Sequence, residues 1–103
     1  MKVLIINGSP RANGNTARAL EEMKTVFEEN GIEVKIIQIG TQPIRGCIAC
    51  GKCAPKGACV FEDAVNEAAA CFAESDGLVV ASPVYYASAN GSLISFLARF
   101  PLF

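Results

Sequence analysis

Three short apolar runs, separated by amphipathic segments, restrict what this chain can fold into more than any other feature. Residues 2–7 read KVLIIN, 33–39 read EVKIIQI and 77–82 read GLVVAS. The first is a continuous, β-branched run ended by a glycine turn, the pattern of a strand buried on both faces. Between the first two runs lies TARALEEMKTVFEENG. There Ala17, Leu20, Met23 and Phe27 keep helical spacing, the opposite face is charged, and Gly31 supplies the stop signal. The alanine-rich 62–75 segment reads as a second helix, 83–91 as a loop, and SLISFLARF as the start of a third helix. Strand–helix alternation three times over implies a parallel sheet with right-handed crossovers. Each unit takes roughly 30 residues, so the 103 residues accommodate three units in one α/β domain spanning 1–103.

Composition narrows the function classes. Apolar residues make up 51% of the chain and charged residues 18%, which excludes disorder. Nine basic against ten acidic side chains give no electrostatic case for nucleic acid or a membrane surface. The absence of histidine removes Ser/His and Cys/His catalytic centres and any histidine metal site. The apolar run at the N-terminus is too short for a secretory signal or a membrane span. The expectation is a cytoplasmic chain whose thiols stay reduced.

Doubly wound sheets bind ligands beyond the carboxyl ends of their strands, where the winding reverses; in the order 2-1-3-4-5 that point lies between strands 1 and 3. The loops after Asn7 and after Ser82 are therefore the ones to inspect. The first, NGSPRANGNT, carries Gly8 and Gly14, hydroxyls at Ser9 and Thr16, a cation at Arg11, and a helix directly behind it. Glycine lets successive N–H groups turn inward, and the helix N-terminus adds unpaired donors and partial positive charge. A terminal phosphate monoester needs this; the plainer alternative is an ordinary turn in which Asn15 or Thr16 caps the helix. Neither GxGxxG nor GxxxxGK[ST] is present, so a Rossmann dinucleotide site and an ATP P-loop are not indicated. The second loop, SPVYYASANGS, offers backbone groups, two aromatics and small residues, a surface suited to a flat ring. Its alternative is that Tyr85 and Tyr86 are core or interface residues.

The two loops in this order resemble those of the flavodoxin-like NAD(P)H-dependent FMN reductase family, and the resemblance extends over essentially the whole chain. It implies a three-layer flavodoxin-like parallel sheet, with order 2-1-3 present and strands 4 and 5 missing. It also implies FMN as cofactor and NAD(P)H as electron donor. Carried over, Ser9, Arg11, Asn15 and Thr16 would hold the FMN phosphate, and Pro83, Val84, Tyr85 and Tyr86 would line the ring. No side chain reads as a general acid–base catalyst, so no catalytic residue is assigned.

Four of the five cysteines fall within a loop spanning 40–60, as C-x₂-C-x₂-C-x₅-C: Cys47, Cys50, Cys53 and Cys59. Such tight spacing lets thiols converge on one small cage, and bacterial ferredoxins use a similar run for a 4Fe–4S cluster. Zinc sites more often pair two C-x-x-C units across a longer span; zinc, free thiols and a disulfide remain alternatives. The run also resembles the compact cysteine motif of the iron–sulfur flavoprotein subgroup of the same family, which implies a cluster exchanging electrons with FMN. Cys71, beside Ala70 and Phe72, reads as a buried apolar residue.

A full flavodoxin-like domain has five strands, and this chain has residues for three. The third strand then becomes an apolar edge, which tends to pair with another chain, and the tail FLARFPLF is too apolar for a solvated end. Two explanations compete: a truncated product of a longer gene, or a protein that completes its sheet as a homodimer or higher homo-oligomer. Three functions follow. The first is an FMN-dependent NAD(P)H oxidoreductase with a small-molecule or protein electron acceptor. The second is an electron-transfer module carrying FMN and a 4Fe–4S cluster for a partner protein. The third is a truncated, non-catalytic metal-binding fragment.

Overall fold

The computed structural model describes residues 1–53 and 57–100. Three strands form a parallel sheet: β1 (Lys2–Asn7), β2 (Glu33–Gln38) and β3 (Gly77–Ala81), in the order β2-β1-β3. The middle place belongs to β1 because its run is apolar on both faces, and Val3 through Asn7 are all buried. In register, Ile5 stands between Ile36 and Val79, and Ile6 between Ile37 and Val80.

Alternation along β1 splits the core in two. Val3 and Ile5 point to one face, where Leu20 and Phe27 of α1 (Asn15–Glu29) cover them. Leu4 and Ile6 point to the other, under Val65 and Ala68 of α2 (Ala64–Ala73) and Leu93 and Phe96 of α3 (Gly91–Arg99). Fully burying such a side chain is worth roughly 1.5–3 kcal/mol. The helices thus sit on opposite faces, as right-handed crossovers from β1 outward to β2 and back to β3 require. Met23 is the exception among the spaced α1 residues, for it lies at the edge of the buried stripe and is exposed. Cys71 is half-buried, packed against the α2–α3 side of the core.

The segment read as a loop over 83–91 holds a small antiparallel hairpin, β4 (Val84–Tyr85) and β5 (Ser88–Ala89). It is not an extension of the parallel sheet. Its turn residues, Tyr86 and Ala87, both have positive φ (52° and 60°), as a two-residue type I′ turn demands. Neither is glycine or asparagine, so no local signal announces the turn. The third helix starts at Gly91, one residue before the apolar run, because Asn90 caps it by accepting from Leu93 N–H. The last three tail residues, 101–103, and 54–56 within the cysteine loop lie outside the described residues. Among the described residues no helix is long and apolar enough to cross a membrane.

Candidate functional site

At the carboxyl end of β1 the chain is locked by its own side chains. Asn7 Oδ1 accepts from Ser9 N–H, and Ser9 Oγ accepts from Arg11 N–H, so the chain curls back on itself within five residues. Asn7 and Ser9 are buried. The cap of α1 is Gly14, and no side chain bonds to the helix start. Asn15 and Thr16 are thus free of the capping role that an ordinary turn would give them, and the first N–H groups of α1 have no intrahelical acceptor. A Cβ on Gly14 would meet the Arg11 stem at 3.1 Å, which places that side chain across the helix start.

A cavity of about 300 Å³ brings the two loops together. Ser9, Arg11, Asn15 and Thr16 line it from one side, and Pro83, Val84 and Tyr85 from the other. Seven of the eight residues expected around FMN thus face one space at the β1/β3 switch point. Tyr86 is not among them; it stands fully exposed at the hairpin tip. Since Tyr85 is also half exposed, neither tyrosine is a core residue. The fit to a phosphate monoester with a flat ring is good: the uncapped start of α1, two hydroxyls and a cation at one end, a proline and an aromatic at the other.

Two further residues fix this arrangement, and sequence reasoning passed over both. Asn90 is buried; its Nδ2 donates to the Gly8 carbonyl, its N–H to Ser82 Oγ at 2.9 Å, and its Oδ1 caps α3. It therefore ties the loop after β1 to the loop after β3. Gly40 lies directly against the backbone of Gly8 and Ser9, where a Cβ would overlap the Ser9 carbonyl. Beside it, Gln38 Nε2 donates to Ser9 O at 2.9 Å. An asparagine just before an apolar helical run is a readable cap signal. The approach of Gly40 is a contact between distant segments and leaves no local trace.

The cysteine segment leaves the same edge, since Ile39 N–H donates to Asn7 O at 2.9 Å. Cys47, Cys50, Cys53 and Cys59 all line one cavity of about 320 Å³, with Ile48, Val60 and Phe61 among its apolar walls. All four stand as free thiols. Among the described residues, no three metal-ligating side chains converge to coordination distance. The donor set still fits a thiolate-bound metal or cluster: four sulfurs on one apolar space, with Gly51 in the left-handed conformation (φ 74°) between the second and third. Cys59 is the most firmly held, because its N–H donates to Asn66 Oδ1 at 2.9 Å and its carbonyl accepts from Asn66 Nδ2.

Arg99 also lines this cavity, and its sequence position at a helix end gave no hint of it. The side chain is 1% exposed and forms a two-pronged pair with Asp63, at 2.7 and 2.8 Å. Burial works against its charge, but bonding to Asp63 and the nearness of Cys59 outweigh that and raise its pKa above the ordinary value.

A parallel 2-1-3 sheet with a glycine-rich loop before α1, facing an aromatic hairpin across the switch point, is the build of a flavodoxin-like domain. Residues 1–102 match the NADPH-dependent FMN reductase family, and the chain belongs to it. Among curated relatives, it is 37% identical over 99 residues to an iron-sulfur flavoprotein of Archaeoglobus fulgidus, covering 96% of this chain and 45% of that protein. An iron-sulfur flavoprotein of Methanocaldococcus jannaschii is 35% identical, with 96% and 51% covered. The FMN reductase (NADPH) of Pseudomonas putida is 29% identical over 101 residues, with 98% and 47% covered. The chain spans about half the length of these relatives.

Proposed function

We propose that this chain forms the FMN site of an NAD(P)H-dependent oxidoreductase and carries an iron–sulfur cluster, of the 4Fe–4S type, on its cysteine loop. The observation that carries the flavin reading is the single cavity uniting Ser9, Arg11, Asn15 and Thr16 with Pro83, Val84 and Tyr85. FMN, when bound, supplies the redox chemistry, taking hydride from a reduced nicotinamide and releasing electrons singly or in pairs. The chain's own part is binding and orientation. The start of α1, with Ser9, Thr16 and Arg11, neutralises the phosphate and so anchors the cofactor by its tail. The Asn90 bridge then holds the hairpin at a fixed spacing from that anchor, with Pro83, Val84 and Tyr85 excluding water from one side of the ring.

Phosphate recognition makes a direct test. In fluorescence titrations FMN binds far more tightly than riboflavin, which lacks the phosphate. Arg11→Gln weakens FMN about tenfold, the size of one charge-assisted hydrogen bond, and leaves riboflavin unchanged. Equal affinity for both flavins in the unaltered chain defeats the proposal.

The cluster reading draws on the four-thiol cavity and on relatives named as iron-sulfur flavoproteins. Free thiols at all four positions suit a reducing, cytoplasmic setting. The same cavity favours a second reading, an electron-transfer module that passes electrons between FMN and a partner protein. Reduction of bound flavin by NAD(P)H alone separates the oxidoreductase from this module, which would need a protein donor.

Homodimerisation belongs to the same proposal. Among the described residues β3 is an outer strand, and Leu78 and Val80 on it are exposed. An apolar outer strand is covered most simply by the same strand of a second copy. Sedimentation equilibrium should give twice the 10.9 kDa chain mass; a monodisperse monomer rules this out.

A further inference from the structure

Arg99 is the one charged side chain among the described residues that is fully buried, and the flavin cavity makes no use of it. Four of its five donor positions are spent. Nη1 donates to Asp63 Oδ2 and to Arg45 O, and Nη2 to Asp63 Oδ1 and to Phe61 O. The fifth, Nε–H, is buried without a partner. Leaving a buried donor unmade forfeits about as much as the other bonds gain, so a purely structural Arg99 leaves one donor unexplained.

Its surroundings supply the explanation. Arg99 lines the cavity that holds the four loop cysteines. Phe61, which forms part of the same wall, is faced by both Arg99 and Arg45, at 5.4 and 4.7 Å from its ring centre. Arg99 is anchored to Asp63, the cap of α2, and Cys59 is anchored to Asn66 in the first turn of the same helix. One rigid element thus holds both the cation and the sulfur.

We propose that Arg99 is a positioning residue for the cysteine site: its unpartnered Nε–H donates to the Cys59 sulfur once that sulfur is a metal-bound thiolate, while its Nη groups hold the loop carbonyls of Arg45 and Phe61. This rests on the reading of the cysteines as cluster ligands. A hydrogen bond to a ligand sulfur favours the more negative, reduced cluster, and so raises its reduction potential.

The test compares the unaltered chain, Asp63→Asn, and the double variant Arg99→Gln/Asp63→Asn. Each is reconstituted anaerobically with ferrous iron and sulfide. Asparagine still caps α2, and a Gln–Asn pair leaves no uncompensated buried charge, so the double variant keeps the fold. All three are expected to hold the same iron and sulfide per chain. Asp63→Asn, which keeps Arg99, titrates at or above the unaltered potential. In the double variant the ratio of reduced to oxidised cluster at a fixed potential falls about tenfold, the size of one charge-assisted hydrogen bond, or about 59 mV for a one-electron couple. Should the double variant fail to fold, Arg99→Lys, which lacks Nε–H and keeps the charge, takes its place with the same expected fall. A fully loaded variant at the unaltered potential overturns the role of Arg99 and leaves the cluster reading standing. An unaltered chain that takes up no iron overturns the cluster reading, and the inference with it; the iron count tells the two apart.

Discussion

Gly40→Ala is expected to lower FMN affinity at least a hundredfold in a fluorescence titration, while Gly46→Ala should leave it unchanged. A methyl group at position 40 would overlap the carbonyl of Ser9 and the oxygen of Gly8. Those are backbone atoms, so no side-chain rotation relieves the conflict. The loop from Gly8 to Gly14 must move, and Ser9 and Arg11 move with it, away from the start of α1. Overpacking of this kind typically costs about 1–3 kcal/mol in stability, but the expected loss of binding exceeds that, because the proposed phosphate site depends on one loop geometry. At Gly46 an added Cβ meets nothing within 4 Å. Unchanged affinity in Gly40→Ala would mean that the phosphate does not bind between Ser9 and the start of α1.

Asn90→Ala is expected to lower stability by roughly 3 kcal/mol in urea unfolding. The substitution removes the α3 cap and strips the buried Gly8 carbonyl of a partner, while the backbone N–H of residue 90 still donates to Ser82 Oγ. A lost cap accounts for about 1 kcal/mol, and a buried acceptor left unpaired for about 1–3 more. Asn90→Ser retains a capping oxygen but is too short to reach Gly8, so it recovers only the cap, roughly 1 kcal/mol. If serine restored full stability, the bridge to Gly8 would be worth nothing. FMN affinity should fall in both variants, since the bridge joins the two walls of the flavin cavity.

The parts of this protein that could be read in its sequence are those that local pattern determines. The burial of β1 follows from an unbroken apolar run, whereas the order 2-1-3 is legible only through the family resemblance, because right-handed crossovers alone also allow 1-2-3. Ser9, Arg11, Asn15 and Thr16 stand out together because they fall within one short turn, and they do line one cavity. Contacts between remote segments were not visible. Arg99 lies in an ordinary helix-end context, and only its distance to Asp63 marks it as buried. Gly40 looks like the opening of a flexible loop, yet it is constrained by Ser9. The hairpin turn at Tyr86 and Ala87 escaped because both residues adopt a conformation that neither favours locally. Its two-residue arms are set by pairing alone.

That hairpin has a practical consequence. The chain has no tryptophan and only two tyrosines, and both sit there, Tyr85 on the cavity wall and Tyr86 at the exposed tip. All intrinsic ultraviolet emission above the phenylalanine background therefore originates from a single structural element. Tyrosine emission tracks the hairpin alone, without labelling. Energy transfer from Tyr85 to an added chromophore would time the filling of the cavity, while collisional quenchers would report mainly on the fully exposed Tyr86.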